Sequence, residues 1–592
     1  MAATTPAPQP EGVLTLDAVL RLLLADQIIA PTHVEQLRVS GRGGREDRHP
    51  FLRIAEMGWQ SQTKPGYPIT VERLARWLAG KVGLPYLRID PLKIDVRAVT
   101  RLVSQAYASR FRFLPIAVDE QTVTVATAEP FLREWEREMA RVLKRRVKRV
   151  ITNPQDVERY LAEFYGVSHS MAGAAKAAER PTSKVGNFEQ LTELGKMGEP
   201  DANDKHIVHL VDWLLQFAFE QRASDIHVEP RREFTRVRFR IDGVLHQVHE
   251  IPANVASAIT SRLKSLGRMD VSDRRRPQDG RIKTKTPAGK EIELRLSTMP
   301  TAFGEKLVLR IFDPAVLSRS FEELGFSSHD LAAWKFMTGH PHGFILVTGP
   351  TGSGKTTTLY SALKQLAKPE INVCTIEDPI EMVEPAFNQM QVQASIDVDF
   401  ASGVRTLLRQ DPDIIMIGEV RDRETATTAI QAALTGHLVL STLHTNDAPS
   451  AITRLVDIGV QPFLIGATLL GVVAQRLVRT LCPHCKQPAP LDVKAWQGLV
   501  GANAIPHPKI GYRAVGCEEC RQTGYLGRTG LYEMLTMRKE LNTLLQEDNV
   551  NAGRLREAAL QLGMRSLRVS GADKVSSGLT TIEEVLSVLP AS

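Results

Sequence analysis

The sequence is poor in aromatic residues and has no strong excess of either charge. Both features argue against a protein that travels on nucleic acid. Phe, Trp and Tyr make up 6% of its 592 residues, and 74 basic residues exceed 67 acidic ones only slightly. A motor that travels on nucleic acid needs a basic track that carries aromatic side chains. The composition therefore argues against such a motor and predicts no nucleic-acid partner.

Long apolar runs are also missing. The longest, PFLIGATLLGVVA from Pro462 to Ala474, falls short of the roughly 20 residues that a membrane-spanning helix needs. We expect a buried helix there. The start, MAATTPAPQPEG, lacks the charged and apolar regions of an export signal, so we expect a disordered tail at 1–12. These features predict a cytoplasmic protein that associates with a membrane only peripherally or through a partner.

The length predicts several domains, because a chain of 592 residues is too long for one hydrophobic core. Helical and strand patterns alternate up to about residue 165, and a small, polar, aperiodic stretch then indicates a linker. The predicted divisions are a tail at 1–12, an N-terminal α/β domain at 13–165, a linker at 166–203, a second domain at 204–320, a third at 321–480, a cysteine element at 481–525 and a helical region at 526–592.

A parallel sheet is predicted inside residues 321–480. The apolar segments FILVTG, NVCTIED, DIIMIGE and HLVLSTLH alternate with helical segments such as TTLYSALKQLA. This alternation is typical of a doubly wound α/β domain, in which helices cover both faces of a parallel sheet. Ligands bind such sheets at the carboxyl ends of the strands. We therefore expect functional side chains in the loops that follow these segments.

A phosphate-binding loop follows the first of these strands. GPTGSGKTTTLY fits the pattern G-x-x-x-x-G-K-[ST] between a strand and a helix. Gly352 and Gly354 allow backbone amides to turn toward the β-phosphate. Lys355 neutralises the β- and γ-phosphate oxygens, and the Thr356 hydroxyl holds Mg²⁺. The candidate residues for binding ATP are Gly349, Pro350, Thr351, Gly352, Ser353, Gly354, Lys355, Thr356 and Thr357.

Two acidic residues are catalytic candidates. PDIIMIGEVRD has Gly418 where P-loop enzymes usually carry Asp, and Glu419 takes that place. A carboxylate there orders Mg²⁺ through water or polarises the attacking water; the alternative is that it only caps the next helix. Glu377, at the end of VCTIE, is the second candidate, with a solvated loop as the alternative.

Two histidines, His437 and His444, flank the strand LVLSTL. A single histidine is more often structural than catalytic, and that alternative stays open for both of them. His444 lies at the predicted carboxyl end of its strand, so it is the better candidate for sensing the γ-phosphate.

Four segments together resemble one known family. GPTGSGKTTTLY, TIEDPIE, RQDPDIIMIGEVRD and TGHLVLSTLHTNDA are similar to the Walker A, Asp box, Walker B and His box of the secretion ATPase superfamily, which drives type II secretion and type IV pilus assembly. The resemblance implies a RecA-like core that hydrolyses ATP with Mg²⁺. Gly418 matches this family's own form of Walker B.

Segments upstream extend the resemblance. RASDIHVEP, RVRFRIDGVL, RRPQDGR and STMPTAFGEKLVLR are similar to the domain that precedes the ATPase core in this family. The resemblance implies a PAS-like domain that lends arginines to the nucleotide, here Arg238 and Arg240. Such arginines offset the negative charge of the phosphates in the transition state. The alternative is that both side chains of this alternating strand are solvated beside their cross-strand neighbours.

Cysteine is scarce, and four of the five cysteines fall into two C-x-x-C pairs. CPHC and CEEC predict a closed tetrahedral Zn²⁺ site. Its ligands are Cys482, Cys485, Cys517 and Cys520. A disulfide is the alternative, which a reducing compartment disfavours. Cys374 lies in a predicted core strand, where we expect a small buried apolar side chain.

The N-terminal domain also carries a resemblance. WLAGKVGLPYLRIDPLKIDV is similar to the domain with which these assembly ATPases dock on inner-membrane partners. Some of those domains bind cyclic di-GMP through repeats that start with Arg-Leu-Gly. AVLRLLLADQII has Ala18 and Leu20 where the arginine and glycine fall, which argues against this ligand. The basic run RVLKRRVKRV contacts lipid headgroups or, as the simpler interpretation, is a solvated face.

The tetracysteine element and the N-terminal domain favour an assembly motor, since the pilus-retraction members that this core resembles lack both. The resemblance implies a cytoplasmic homohexamer, peripheral to the inner membrane, that acts with a platform protein and a cytoplasmic docking protein. Two other interpretations stay open: a nucleic-acid motor, and a regulatory subunit that binds ATP without hydrolysing it. The motifs do not separate type II secretion from type IV pilus assembly, although QRLVRTLCPHC favours secretion.

Overall fold

The computed structural model describes residues 12–40, 48–63, 68–179, 203–286, 289, 291–312, 319–501, 505–547 and 551–589. The chain divides into two compact units, Met1–Ile311 and Phe312–Ser592. Both units combine helices with sheets, so the predicted multidomain α/β class is confirmed. The tail predicted at 1–12 lies outside the described residues except for Gly12. None of the helices that the structure describes is both long and apolar enough to cross a bilayer.

The secondary structure of unit 1 begins with helices and ends with a large sheet. Its helices are α1 (Leu16–Ala25), α2 (Pro31–Ser40), α3 (Pro50–Glu56), α4 (Val71–Val82), α5 (Val96–Thr100), α6 (Gln105–Arg110), α7 (Glu134–Leu143), α8 (Pro154–Glu179), α9 (Lys205–Glu220) and α10 (Ala253–Leu266). Its strands are β1 (Phe113–Val118), β2 (Thr122–Thr127), β3 (Arg146–Ile151), β4 (Asp225–Pro230), β5 (Phe234–Ile241), β6 (Val244–Pro252), β7 (Gln278–Lys285), β8 (Glu291–Thr301) and β9 (Gly304–Phe312).

In unit 2, helices alternate with strands along most of the chain. Its helices are α11 (Phe321–Leu324), α12 (Ser328–Thr338), α13 (Lys355–Leu366), α14 (Phe400–Leu407), α15 (Arg423–Leu434), α16 (Ala448–Asp457), α17 (Pro462–Thr468), α18 (Val493–Val500), α19 (Lys539–Leu545), α20 (Ala552–Gln561), α21 (Leu567–Ser576) and α22 (Ile582–Val588). Its strands are β10 (Gly343–Thr348), β11 (Val373–Glu377), β12 (Asn388–Gln391), β13 (Ile414–Ile417), β14 (Leu438–Leu443), β15 (Leu469–Leu481), β16 (Gln487–Ala489), β17 (Gly511–Arg513) and β18 (Tyr525–Thr536).

The first part of unit 1 has two hydrophobic cores. Helices α1, α3 and α4 bury Leu23, Phe51 and Leu78 in the first core. The second core lies against the three-stranded sheet of β1, β2 and β3, where the rings of Phe113 and Trp135 stack 4.4 Å apart. The segment LDAVLRLLLADQII has apolar residues at helical spacing and contains α1, and TVTVATAEP alternates like a strand and contains β2, in agreement with the helical and strand patterns predicted in this region.

The second part of unit 1 is a six-stranded sheet in the order β6-β5-β4-β9-β8-β7. Helices α9 and α10 contribute to a core on one face of it, in which Ile226, Phe239 and Leu294 are fully buried. Strands β5 and β6 form a hairpin through Asp242 and Gly243, which both have positive φ. An Asp-Gly pair readily adopts that conformation, and its turn matches the twist of the two strands.

Unit 2 is built on a seven-stranded sheet in the order β12-β11-β13-β14-β10-β15-β18. All its strands from β10 to β15 pair in parallel, whereas β15 and β18 pair antiparallel. Separate hydrophobic cores lie along the sheet: one with α12 and α13, another with α14 to α17, α19 and α20, and a further one with α18, α21 and α22 beside β15 and β18. The predicted parallel sheet and its four apolar strands are confirmed.

The predicted linker at 166–203 begins as a helix. Helix α8 continues to Glu179, and Val167 and Met171 are buried in the core that also contains α9. The following Ala-rich residues have high helix propensity, so the absence of apolar periodicity did not end the helix. Residues 180–202 of the predicted linker lie outside the described residues.

The prediction of one buried helix in PFLIGATLLGVVA is wrong. Helix α17 covers Pro462–Thr468, and strand β15 starts at Leu469. A strand inside a sheet is buried on both faces, so its sequence is as continuously apolar as that of a buried helix. Strand β18 pairs with β15, so the region predicted to be helical at 526–592 starts with a strand and then continues as α19 to α22.

Candidate nucleotide site and cysteine cluster

The carboxyl ends of neighbouring parallel strands bring the predicted residues of unit 2 to one edge of the sheet. Strand β10 ends directly before the loop that starts at Gly349, and β11 ends at Glu377. Glu419 follows β13 after Gly418, and His444 directly follows β14. Because these four strands are parallel and contiguous in the sheet, all four features lie on the same edge.

The phosphate loop connects β10 to α13, as the sequence predicts. Gly354 has φ +88°, and a Cβ atom there would lie 2.8 Å from Gln475 Nε2, so both conformation and space require glycine. Gly354 is the N-cap of α13 and has no side-chain cap hydrogen bond, and Ser353 Oγ is buried without a partner in the described part of the chain. Phosphate oxygens would accept from these donors, so the loop fits ATP. Thr356, in the first turn of α13, is half-buried and would hold Mg²⁺.

The Lys355 side chain folds back onto the loop. Its Nζ donates to the carbonyl oxygens of Gly349 at 2.8 Å and Pro350 at 3.3 Å. Burial lowers the pKa of Lys355 to about 8; the Glu419 carboxylate acts in the opposite direction, and the Arg476 guanidinium in the same direction. Burial disfavours the protonated form of Lys355, and bound phosphate anions would favour it again.

Glu419 and His444 are brought into direct contact. His444 Nε2 lies 3.3 Å from Glu419 Oε2, and Arg421 forms an ion pair with the other carboxylate oxygen. Only 16% of the Glu419 side chain is exposed, compared with 52% of His444. A fixed carboxylate next to an accessible imidazole can orient a water molecule and respond to a charged ligand.

The position before Glu419 is tightly packed, so a side chain there would require its neighbours to shift slightly. A Cβ atom on Gly418 would lie 3.3 Å from the Phe400 ring and 3.4 Å from the Glu377 backbone. The Gly418 amide donates to Ile376 O at 2.8 Å, and its carbonyl accepts from Thr442 Oγ1 at 2.7 Å. Glycine at this position therefore allows the segment to pack closely between two strands.

Glu377 is buried and hydrogen-bonded rather than open to solvent. Its carboxylate accepts hydrogen bonds from Tyr360 and Thr375, both at 2.6 Å, and from Gln389 at 3.1 Å. Burial raises the pKa of Glu377, which these donors partly offset. The contacts favour a positioning role for Glu377 at the edge of the site over a role as a free base. His437 lies at the opposite end of β14, with Nδ1 2.9 Å from the Ala432 carbonyl, which suits the structural alternative.

The two predicted arginines lie in unit 1, on β5. Arg238 Nη2 donates to Glu229 Oε1 at 2.7 Å. Arg240 Nη1 donates to the Gly243 carbonyl at 2.9 Å, and its Nε lies 3.5 Å from Asp225 Oδ2. Both side chains are about one-third exposed, so each guanidinium has a partner in the chain and also remains accessible.

Sequence reasoning missed two residues beneath the phosphate loop. Gln475 is 2% exposed, and its Oε1 accepts a hydrogen bond from Thr358 at 2.8 Å. Arg476 is 4% exposed and donates to the carbonyl oxygens of Gln475 and Asn446. The signal was a polar pair that directly follows the apolar run of β15, where a side chain must find partners inside the protein.

The four paired cysteines meet at one end of the antiparallel pair of strands β15 and β18. Their sulfur atoms all lie within 4.8 Å of one another. Cys482 Sγ and Cys517 Sγ are 3.7 Å apart, as are Cys485 Sγ and Cys520 Sγ. Tetrahedral Zn²⁺ with Zn–S bonds of about 2.3 Å places its sulfurs about 3.8 Å apart, so the cluster fits this ion.

Backbone groups support the cysteine cluster. The amides of Cys517 and Gly524 each donate to Cys520 Sγ at 3.1 Å, and such bonds favour the thiolate form that binds metal. Helix α18 and strands β16 and β17 lie between the two cysteine pairs, which accounts for their long separation in sequence. Cys374 is fully buried in β11, as the sequence predicts.

Comparison with known proteins decides the family. Residues 201–587 match the family model described as Type II/IV secretion system protein, which covers more than half of the chain. The chain belongs to the Type II/IV secretion system protein family. Residues 82–171 also match the MshEN domain, a span that overlaps the stretch at 77–96 where the sequence resembles the N-terminal domain of assembly ATPases.

Relatives in this family are pilus and secretion ATPases. The type IV pilus assembly ATPase TfpB of Acinetobacter baylyi is 55% identical over 545 residues, which are 92% of each chain. The type IV pilus assembly ATPase PilB of Myxococcus xanthus is 42% identical over 88% of this chain and 91% of its own. The type II secretion system protein E of Pseudomonas aeruginosa is 46% identical over 68% of this chain and 78% of its own. The predicted ATPase activity and family are thus confirmed.

Proposed function

We propose that this ATPase powers the assembly of type IV pili. The observation that carries the proposal is the 55% identity with TfpB over nearly the whole of both chains; the Pseudomonas secretion protein is 46% identical over a shorter stretch. The relatives thus favour pilus assembly over the secretion role that QRLVRTLCPHC indicated.

The proposed machine is a homohexamer at the cytoplasmic side of the inner membrane. Its N-terminal domain binds a cytoplasmic docking protein, and ATP turnover moves the arginine-bearing domain, which we regard as PAS-like, against the RecA-like core. That movement acts on a membrane platform protein that adds pilin subunits to the fibre. The match to the MshEN domain and the match of residues 201–587 to the family model support this division of labour.

Within the nucleotide site, we propose a role for each residue at the sheet edge. Lys355 and the amides of the phosphate loop bind the phosphates, Thr356 holds Mg²⁺, and Glu419 positions the attacking water. His444, in contact with Glu419, senses the γ-phosphate. Glu377 keeps its hydrogen-bonded position behind this row, while Arg238 and Arg240 contact the phosphates from the other domain.

Deletion of the gene tests the proposed function in the bacterium that carries it. We expect surface pili to disappear and to return with the wild-type gene but not with Glu419→Gln, because the fibre grows only when ATP is hydrolysed. Electron microscopy of negatively stained cells counts the fibres, and enzyme assays of the culture medium measure export. Normal pili together with exported enzymes retained in the cell would assign the ATPase to secretion instead.

We also propose that the cysteine cluster holds one structural Zn²⁺ per chain. Metal analysis of the purified protein is expected to find about one Zn²⁺, and Cys517→Ser is expected to lose most of it, because the closed site needs all four thiolates. Cys374→Ser is the matched control, since Cys374 lies in β11 and should leave the zinc content unchanged. Far less than one Zn²⁺ in the wild type would reject the site.

A further inference from the structure

Arg476, on strand β15, is a buried cation at the base of the phosphate loop. It is 4% exposed. A Cβ atom on Gly349, the first residue of the loop, would lie 3.1 Å from Arg476 Nη1 and 2.5 Å from the Gln475 carbonyl oxygen. The start of the loop therefore packs so closely on this part of β15 that a side chain on Gly349 would not fit between them.

The three nitrogen atoms of the Arg476 guanidinium donate to three separate places in unit 2. Nη1 donates to the Gln475 carbonyl at 3.0 Å, on β15 itself, and Nε donates to the Val588 carbonyl at 3.2 Å, at the end of α22. Nη2 donates to the Asn446 carbonyl at 2.9 Å and to the Asn446 side-chain oxygen at 3.3 Å. Asn446 follows His444 by two residues, so one guanidinium connects the loop that carries His444 to the strand beneath the phosphate loop.

A threonine holds the same loop closer to His444. Thr348, the last residue of β10, accepts a hydrogen bond from the Thr445 amide at 2.8 Å, and its hydroxyl donates to the Leu443 carbonyl at 3.1 Å. His444 thus lies between two residues that bond to Thr348. Together, the threonine and the guanidinium fix the backbone of His444 relative to the phosphate loop.

Arg476 also places a positive charge beneath the phosphate loop. In the part of the chain that the structure describes, its hydrogen bonds all end on uncharged oxygen atoms. Burial lowers the pKa of Arg476, and the carboxylates of Glu533 and Asp447 act in the opposite direction. Both carboxylates form ion pairs with Arg556, at 3.6 Å and 2.9 Å. Because a guanidinium stays protonated, its charge acts on the groups above it.

We propose that Arg476 is a positioning residue for ATP hydrolysis, which fixes the loop that carries His444 against the phosphate loop and acts on Lys355 through its charge. The inference rests on the proposed roles of His444 as the sensor of the γ-phosphate and of Lys355 in phosphate binding. A planar guanidinium presents its donors in a rigid fork, so a single group holds all three segments. The sensor loop is then ordered before ATP binds, which avoids the entropy cost of ordering it at that step.

Arg476→Lys tests the positioning role, because it keeps the charge and replaces the fork by a single nitrogen that cannot reach three segments. We expect the preference for a non-hydrolysable ATP analogue over ADP to fall about tenfold, the contribution of one hydrogen bond to a charged group. The affinity for ADP should be unchanged, because ADP has no γ-phosphate to sense. Isothermal titration calorimetry measures both affinities.

Arg479→Lys is the matched control for that variant. Arg479 forms an ion pair with Glu584 of α22, so it shares both the strand and the helix contact of Arg476. It lies about 10 Å further along the strand, away from the phosphate loop. Its preference for the ATP analogue over ADP should equal that of the wild type. Equal losses of affinity for both nucleotides in Arg476→Lys, with a lower thermal unfolding midpoint, would show a purely structural role and overturn the inference.

Arg476→Gln removes the charge as well, and this gives a readout that loosened packing would not. Burial lowers the pKa of Lys355 to about 8; the Glu419 carboxylate opposes this effect, and the Arg476 guanidinium adds to it. Without the guanidinium the pKa of Lys355 rises, so the pH above which affinity for the ATP analogue declines should move upward. In Arg476→Lys that pH should match the wild type. The same pH in Arg476→Gln as in the wild type would overturn the action on Lys355.

His444→Ala separates this inference from the role proposed for His444 itself. A reduced preference for the ATP analogue in His444→Ala, with a wild-type preference in Arg476→Lys, would overturn the inference alone. A wild-type preference in both variants would reject the proposed sensing role and the inference with it. If Arg476 acts through His444, then Arg476→Lys costs no further preference in a His444→Ala background, whereas additive losses would overturn the inference.

Discussion

A Glu419→Gln variant is expected to bind ATP but to hydrolyse it about 10²–10⁴-fold more slowly than the wild type, the usual contribution of a positioned acid or base. The amide keeps the shape of the side chain but cannot act as a base for the attacking water. The phosphate loop keeps its own donors, so ATP affinity should remain. Phosphate release and the binding of a fluorescent ATP analogue measure the two properties separately.

Glu424→Gln provides the control for that experiment. Glu424 lies on α15 and forms an ion pair with Arg405 at 2.9 Å, with 63% of its side chain exposed. Such a surface pair contributes little to stability, so turnover should be unchanged. Undiminished phosphate release by Glu419→Gln would remove Glu419 from the catalytic step, and a loss of ATP binding would give it a different role.

Lys355→Ala is expected to reduce kcat/KM by at least about 10²–10³-fold, because it removes the cation that stabilises charge on the β- and γ-phosphates. Lys364→Ala is the matched control on the same helix, since Lys364 pairs with Glu384 at 3.3 Å and is 43% exposed. Steady-state phosphate release measures both variants. Equal activity of the two would mean that Lys355 does not contact the nucleotide.

The pH dependence of ATP affinity gives a second readout for Lys355. Its pKa of about 8 in the free protein lies below the ordinary lysine value because the side chain is buried. Phosphates bind the protonated form, so affinity is greatest below pH 8 and falls by about tenfold per unit above it until the bound-state pKa is reached. Lys355→Arg keeps its charge, so its affinity should stay level between pH 7 and pH 9.5; a parallel decline in both proteins would contradict this account.

The edge of the parallel sheet could be predicted from the sequence because the rule that places it is local. Each apolar strand is followed closely by a polar side chain, and neighbouring parallel strands end at the same edge. The sequence therefore placed Glu419 and His444 at one edge of the sheet, where the structure has them 3.3 Å apart. The two C-x-x-C pairs were equally readable, because Zn²⁺ restricts which residue types and spacings can surround it.

Partners that are distant in sequence could not be predicted in this way. Arg238 was predicted to contact the nucleotide, but its attachment to Glu229 depends on how β4 and β5 pair, which a single strand pattern does not show. Gln475 and Arg476 were missed because a buried strand and a buried helix have equally apolar sequences. Because the start of β15 was taken for the end of a buried helix, nothing indicated that Gln475 and Arg476 lie in a strand under the phosphate loop.

Strand β15 also has a mechanical consequence. Gln475 and Arg476 lie beneath the phosphate loop, and the same strand ends at Leu481, next to the first zinc-ligand candidate, Cys482. The stretch between them is about 20 Å of strand, which pairs with β18 except at an irregularity between Arg479 and Leu481. Because β15 is one continuous strand, we expect a displacement of its cysteine end to shift Gln475 and Arg476 under the phosphate loop. A protein that binds the cysteine cluster would in this way act on the candidate nucleotide site.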